Sequence, residues 1–287
     1  MKISSEISSI ARHVGEEKAV EYMAKAGFDA WDFSMFDMCR FDHKNHRVLV
    51  TGHPLTGDNY LAFARKLRKI GEDNGISCNQ SHAPFPTFLS EVRSYYKRAI
   101  ECTAEAGGKI CVIHPDNNKS PEENAEIYWQ FLPFAKEHGV KIATENMWNW
   151  DNVKDQSSFA ACATSDSFNA HLDAVNDPFF VACLDIGHAE MRGSGEGAAN
   201  MIRALGSRLA ALHINDNDLH HDSHQIPCSM SIDFEAVVRA LKDVNYQGEF
   251  TLEADGYLAG QNKEDVFKGV CDLAKAARSL ADRFDSL

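Results

Sequence analysis

The sequence has no continuous apolar run long enough to cross a bilayer, and its first residues, MKISSEISSI, lack the apolar stretch of a signal peptide. Its eight cysteines are scattered singly, without any C-x-x-C pair. This pattern favours reduced thiols over a disulfide framework. We therefore expect a cytoplasmic protein that has no contact with a membrane.

Clustered positive charge is also missing. The chain has 29 Lys and Arg residues against 42 Asp and Glu residues, so its formal net charge is −13. Proteins that bind nucleic acid in general need clustered Lys and Arg for the phosphates. The densest basic stretch, Arg65 to Lys69, is interpreted as the solvated face of a helix. We expect no nucleic-acid partner, although net charge alone does not exclude a local basic groove.

Glycine-rich phosphate motifs are absent as well. No G-x-G-x-x-G follows the first apolar segment, which argues against a dinucleotide site. No glycine-rich nest follows the last two predicted strands, and this slightly favours a free sugar or glycoside over a sugar phosphate. No linker divides the chain, so residues 1–287 are predicted to form one domain, with the oligomeric state left open.

Short apolar segments alternate strictly with longer amphipathic segments. The predicted strands are Lys2 to Ser5, Phe28 to Phe33, Ile76 to Gln80, Lys109 to Ile113, Val140 to Thr144, Phe180 to Leu184, Leu209 to Leu212 and Glu249 to Leu252. The predicted helices are Glu16 to Ala26, Asn59 to Glu72, Leu89 to Ala106, Pro121 to Glu137, Ser158 to Val175, Gly195 to Leu205, Asp233 to Asp243 and Lys263 to Arg283. This order predicts an α/β fold, a single (β/α)₈ TIM barrel, with an open doubly wound sheet as the alternative.

Chemically active side chains follow six consecutive predicted strands. They are His82, His114, Glu145, Asp185 with His188, His213, and Glu253. The carboxyl ends of barrel strands meet at one mouth, where buried carboxylates would repel each other unless paired. A divalent cation bound between the carboxylates would remove this repulsion. The pattern therefore predicts a site for Mn, Co, Mg, Zn or Fe formed by Glu145, Asp185, His213 and Glu253.

Each of these residues taken alone has an ordinary structural explanation, because a single strand-end His or Glu usually makes a hydrogen bond or caps a helix. Six consecutive strands that each end in such a residue favour the metal site over these separate structural explanations. Asp222 and His224 are spaced to point the same way in an extended segment, and whether they face the mouth stays open. Trp148 and Trp150 either pack on a substrate or pack within a loop. The remaining histidines are interpreted as solvated, surface or structural residues: His13, His43, His46, His53, His138, His171, His220 and His221.

Five segments in this order resemble one known family. They are Glu145-Asn146, Leu184-Asp185-Ile186-Gly187-His188, His213-Ile214-Asn215-Asp216, Asp222-Ser223-His224-Gln225-Ile226-Pro227 and Glu253. The set resembles the xylose-isomerase-like barrel superfamily, which includes sugar isomerases, sugar epimerases and the endonuclease IV type of DNA-repair enzyme. In one respect the chain departs from the family pattern. Cys228 and Met230 stand where many members have glycine, so we expect less backbone freedom and more bulk beside the mouth.

The resemblance to the sugar epimerases implies roles for individual residues. It implies that Glu145, Asp185, His213 and Glu253 hold one metal, that Glu145 and Glu253 move the proton, and that His188 touches the substrate. The DNA-repair branch implies three zinc ions instead. Their ligands would be His82, His114, Glu145, Asp185, His188, His213, Asp222, His224 and Glu253.

We therefore expect a divalent-metal-dependent sugar isomerase or epimerase that transfers a proton next to a carbonyl through an enediolate. The expected substrate-binding residues are His82, His114, His188, Trp148, Asp222 and His224. A lyase or deglycosidase acting on a keto sugar would need the same residues, and an endonuclease IV type zinc phosphodiesterase is a further alternative. A barrel that binds a carbohydrate without catalysis is hard to reconcile with so many intact ligands.

Overall fold

The computed structural model describes residues 1–42, 44–49 and 51–287, so the predicted surface or structural role of His43 falls outside it. Within these ranges eight strands pair in parallel, and we number them β1 to β8. They are β1 Ile3–Ser5, β2 Ala30–Ser34, β3 Ser77–His82, β4 Ile110–Val112, β5 Lys141–Glu145, β6 Phe180–Asp185, β7 Leu209–His213 and β8 Phe250–Leu252.

The strands close into a ring. Strands β2 to β7 form one parallel sheet in chain order, and β1 pairs with β8. Two parallel bridges join these parts, Glu6 with Asp32 at one seam and Ile214 with Leu252 at the other. The ring confirms the predicted (β/α)₈ TIM barrel and excludes the open doubly wound sheet.

Helices follow every strand of the ring in chain order. They are Ser8–Val14, Glu16–Ala26, Tyr60–Asp73, Ser90–Arg93, Tyr96–Ala106, Pro121–Trp129, Leu132–Glu137, Ser165–Val175, Ile186–Glu190, Ala198–Leu205, Phe234–Asp243, Asp255–Ala259 and Val266–Ser286. The start predicted at Pro121 is confirmed, because Ser120 and Glu123 form a reciprocal capping box around it. No helix among the described residues combines the length and the apolarity needed to span a bilayer.

Some predicted boundaries are wrong. The predicted helix from Pro121 to Glu137 is two helices. Pro133 has no N–H to donate to the carbonyl of Trp129, and its ring would clash with that carbonyl in a continuous helix, so Pro133 lies in the first turn of a new helix. The predicted helix from Leu89 to Ala106 is also two helices, the first ending at Arg93 and the second beginning at Tyr96. The helix expected from Ser158 begins only at Ser165.

Two antiparallel hairpins extend the loops that follow β2 and β5. The first joins Arg40–Asp42 to Arg47–Leu49, and the second joins Asn149–Asp151 to Gln156–Ser158. Their strands have three residues each, which is too short to show an alternating pattern in the sequence. For the same reason the short helices that follow β1, β6 and β8 were not predicted.

The alternation of side chains along the strands positions the mouth residues. One small buried cluster consists of Val112, Ala143, Val181, Cys183 and Ala211 from four neighbouring strands. Side chains two residues apart on a strand face the same side. The inward face therefore continues from Ala143 to Glu145, from Cys183 to Asp185 and from Ala211 to His213. All eight cysteines are free thiols, as expected.

Candidate metal centre and active-site cleft

Four buried side chains converge at the carboxyl ends of β5 to β8. Glu145, Asp185, His213 and Glu253 each offer one ligand atom, and these four atoms all lie within 4.8 Å of one another. They are the four residues predicted to hold a metal. Each comes from a different strand, so the position of the set depends on the barrel rather than on one flexible loop.

The contacts around His213 test whether this set fits a cation. Its Nδ1 lies 3.1 Å from Glu145 Oε1 and 3.2 Å from Glu253 Oε2. Among the described residues, neither His213 Nδ1 nor Glu145 Oε2 has a hydrogen-bond partner of acceptable geometry. A buried polar atom without a partner is costly, and a divalent cation would satisfy both atoms. The carboxylate and imidazole donors therefore fit a divalent metal.

Hydrogen bonds from neighbouring polar groups orient Asp185. Asn215 Nδ2 donates to Asp185 Oδ2 at 2.9 Å, and the backbone N–H of His188 donates to Oδ1 at 2.8 Å. Gly187 allows this arrangement, because a Cβ at that position would lie 2.0 Å from Asn215 Oδ1. Asn146 holds the Asp185 backbone through hydrogen bonds of 2.8 and 2.9 Å. These contacts give Asn146, Gly187 and Asn215 physical roles that the sequence pattern alone did not show.

His82 and His114 form a second ligand group with Glu145. Their Nε2 atoms lie 2.8 Å apart, and His114 Nε2 lies 3.2 Å from Glu145 Oε2. Burial lowers the pKa of His114 to about 4, so its ring is neutral near pH 7 and can accept a hydrogen bond or bind a cation.

A third group, Asp185, His188 and His224, adjoins Asp222. Asp222 Oδ2 lies 3.2 Å from His188 Nε2, and Asp222 Oδ1 lies 3.0 Å from His224 Nε2. The structure therefore places both Asp222 and His224 at the mouth, a question that their spacing had left open. Asp255, which the sequence analysis did not select, lies 3.2 Å from His224 Nδ1.

The two central glutamates have opposite tendencies to bind a proton. Burial raises the pKa of Glu253 to about 7. Burial also acts on Glu145, but the nearby His213 and His114 rings outweigh it and hold the pKa of Glu145 well below its usual range. Two carboxyl groups whose pKa values are driven apart in one site are a common arrangement for an acid and a base.

A cleft of about 800 Å³ opens directly over these residues. Trp148 lines it and donates from Nε1 to Asp222 Oδ2 at 3.2 Å. Trp150 is not among the lining residues and stacks on His221 instead, with ring centroids 5.9 Å apart. The cleft also contains residues that the sequence analysis missed. These are Glu6, Arg12, Phe36, Phe85, Phe88 and Asp255.

The loop after β7 shows how the chain accommodates its unusual residues. Asp216 accepts hydrogen bonds from the backbone N–H groups of Met230, Ser231 and Ile232. Cys228 adopts a φ of 66°, a left-handed conformation that favours glycine. A glycine would adopt this conformation without strain. Met230 is not among the residues with a left-handed φ, and its side chain is 45% exposed.

The sequence matches the model of a family described as Xylose isomerase-like TIM barrel over residues 20–277. The chain belongs to this family. The match spans the segments from the helix before β2 to the last helix, and it includes every strand-end residue of the candidate metal centre.

Individual relatives agree with this assignment. The chain is 24% identical over 273 residues to an uncharacterized protein of Methanocaldococcus jannaschii, covering 89% of this chain and 84% of that protein. It is 21% identical over 250 residues to an L-ribulose 3-epimerase of a Methylomonas species, covering 84% of this chain and 78% of the relative. The solved structure of a D-tagatose 3-epimerase-like protein is similar with a TM-score of 0.71 and 20% identity, covering 100% of this chain and 98% of that one.

Proposed function

We propose that this protein is a divalent-metal-dependent isomerase or epimerase of an unphosphorylated sugar or sugar derivative. The observation that carries the proposal is the contact of Glu145 and Glu253 with the same atom, His213 Nδ1, at 3.1 and 3.2 Å. Glu145 ends β5 and Glu253 follows β8, so the two carboxylates reach His213 from different strands, and both line the cleft. Because β1 pairs with β8, we also propose that residues 1–287 work as one domain.

The proposed reaction moves a proton next to a carbonyl group. Glu145, Asp185, His213 and Glu253 would hold the metal, which would supply positive charge next to the substrate oxygens on which negative charge develops. The glutamate that is ionised takes the proton from the substrate carbon. The other glutamate returns a proton to the opposite face of that carbon. His188 and Trp148 line the same cleft and would contact the sugar.

The names of two relatives support this type of reaction. One is an L-ribulose 3-epimerase, and one solved structure is described as D-tagatose 3-epimerase-like. Epimerisation at the carbon beside a ketone requires removal and return of one proton. A lyase or deglycosidase that acts on a keto sugar would begin with the same proton removal, and the same two glutamates would serve it.

Charge in the cleft favours a substrate without phosphate. Arg12 is the one Lys or Arg among the described lining residues, and its guanidinium lies 3.8 Å from Asp255. The same lining includes Glu6, Asp116, Asp222 and further carboxylates. A phosphate group bound away from the metal would therefore meet several carboxylates and one guanidinium that already lies near Asp255.

Exchange of hydrogen with solvent tests the proposed function directly. We expect the metal-loaded protein to incorporate deuterium from D₂O at the carbon next to the carbonyl of at least one ketose or keto glycoside. A panel of ketoses and keto glycosides, followed by proton NMR, would detect both the exchange and any new epimer. Metal-loaded protein that exchanges no proton of any compound in this panel would contradict the proposal.

A second function has one specific observation in its favour. The three ligand groups share residues, since Glu145 belongs to the first and second groups and Asp185 to the first and third. This arrangement would suit three neighbouring zinc ions and hence a phosphodiesterase of the DNA-repair type. The net charge of −13 and the acidic cleft act against a phosphodiester substrate.

Binding to damaged DNA separates these two functions. We expect no tight binding to a duplex that contains an abasic site at physiological salt, because the average surface repels phosphate. The measurement is a gel shift with zinc-loaded protein, together with a strand-cleavage assay on the same duplex. A shift at nanomolar protein, or cleavage at the abasic site, would favour the phosphodiesterase over the isomerase.

A further inference from the structure

We propose that the outer part of the cleft is a binding subsite for a flat aromatic group, so that the substrate is a sugar joined to an aromatic aglycone. The sugar itself would lie over Glu145, His213 and Glu253, and this part rests on the proposed function. The aromatic subsite depends on different residues, mainly Phe85 and Phe88. The two parts can therefore be tested separately.

The subsite begins with a wall of phenyl rings beside the metal-centre histidines. The ring of Phe85 stacks on His114, with centroids 5.2 Å apart and planes 27° apart, and contacts Phe36 edge-on at 5.2 Å. Phe36 in turn lies edge-on to His82 at 4.9 Å. This packing holds Phe85 in place while leaving it 39% exposed, so that one part of its ring lines the cleft and another contacts His114 of the second ligand group.

Phe88 extends this wall outward. Its ring is 55% exposed, lines the cleft and contacts Phe41 edge-on at 6.2 Å. Phe41 comes from the first hairpin, so the loop after β2 supports the loop after β3 at this point. Exposed aromatic rings that line a concave site are a common feature of ligand-binding grooves. Aromatic faces bind other aromatic rings by offset or edge-on packing.

Several polar side chains that line the same cleft already form hydrogen bonds within the protein. The Thr87 hydroxyl contacts the Tyr96 hydroxyl and the His114 carbonyl, both at 2.6 Å. Asn117 Nδ2 donates to the Trp148 carbonyl at 3.0 Å, and Asn149 Nδ2 donates to Asn118 Oδ1 at 3.1 Å. A second sugar ring would need several free donors and acceptors here. The phenyl faces are better suited to an apolar aglycone.

The size of the cleft agrees with an extended ligand. Its volume of about 800 Å³ lies in the upper part of the ~300–1,000 Å³ range of pockets that enclose drug-sized molecules. A single sugar ring placed over the candidate metal centre would leave the space beside Phe85 and Phe88 filled with water. An aromatic aglycone in this space would replace water that contacts apolar rings, which is favourable.

Two unreactive probes that differ in one group test the subsite. We expect the magnesium-loaded protein to bind phenyl β-D-glucopyranoside about tenfold more tightly than methyl β-D-glucopyranoside, the scale of one well-packed aromatic contact. Titration calorimetry or saturation-transfer NMR would measure both affinities. Because neither probe has a carbonyl group, the result does not depend on proton transfer.

Matched variants locate the effect. Phe88→Ala should reduce the phenyl preference to about threefold or less without changing the affinity for the methyl glycoside. Phe159→Ala removes a ring that is 63% exposed but does not line the cleft, so it should keep the full preference. Equal affinity for the two probes in the unmodified protein, no detectable binding of either at millimolar concentration, or equal losses in both variants would overturn the subsite. Failure of the deuterium exchange would count only against the proposed function.

Discussion

Removal of divalent metal is expected to abolish turnover and to lower the melting temperature. Without a cation, Glu145, Asp185 and Glu253 share a buried space with His213, in which unpaired ligand atoms remain. A ligand that binds only the folded state stabilises it by about 2.7 kcal/mol when present at a hundredfold excess over its Kd. The melting temperature of chelator-treated protein should therefore rise by several degrees when Mn²⁺, Co²⁺ or Mg²⁺ is added, and turnover should return in part.

The matched control for this experiment uses two Asp→Asn variants. Asp185→Asn should weaken both the metal-dependent rise in melting temperature and the activity, because it removes a charge from the ligand set. Asp218→Asn changes a side chain that is 41% exposed and pairs with His221, so it should leave both readouts unchanged. Full turnover of protein shown to be metal-free by elemental analysis would contradict the metal requirement. Three metals per chain instead of one would favour the phosphodiesterase.

Much of the metal centre could be predicted because barrel geometry converts sequence position into spatial position. Glu145 follows Ala143 by two residues, and His213 follows Ala211 by two, so both side chains continue the inward face of their strands. The carboxyl ends of all eight strands meet at one mouth. Hence the order of strand-end residues along the chain was sufficient to bring Glu145, Asp185, His213 and Glu253 together. The match of the sequence to the family model confirms the fold but does not test the role of any one residue.

The outer cleft could not be predicted in the same way. Phe85 and Phe88 lie in a loop after β3, where no periodic pattern shows which way a ring points. Their exposure depends on Phe36 and Phe41, which come from a different loop. Asp222 and His224 had the right spacing, but His224 adopts a φ of 42° rather than an extended conformation. Its direction is set by contacts with Asp222 and Asp255 instead.

Glutamine substitution at Glu145 or Glu253 is expected to reduce turnover by roughly 10²-fold or more, the usual scale for the loss of an acid–base group. Each variant keeps one ligand oxygen and nearly the same shape, so metal content should fall only modestly. Measurement requires kcat and elemental analysis on the same sample. Glu249→Gln is the matched control. Glu249 precedes β8 and Glu253 follows it, so Glu249 lies at the end of the strand away from the mouth. Its substitution should not alter turnover.

Deuterium exchange distinguishes proton transfer from simple metal binding by the two glutamates. If each glutamate serves one face of the sugar, a single Gln variant still exchanges the proton on the face that keeps its base, while it fails to complete epimerisation. The two variants should then differ in which epimer exchanges. Near-normal turnover in both would contradict the proton-transfer mechanism. Losses of activity that only follow the loss of metal, with no difference in exchange between the two epimers, would mean that Glu145 and Glu253 are ligands rather than acid–base groups.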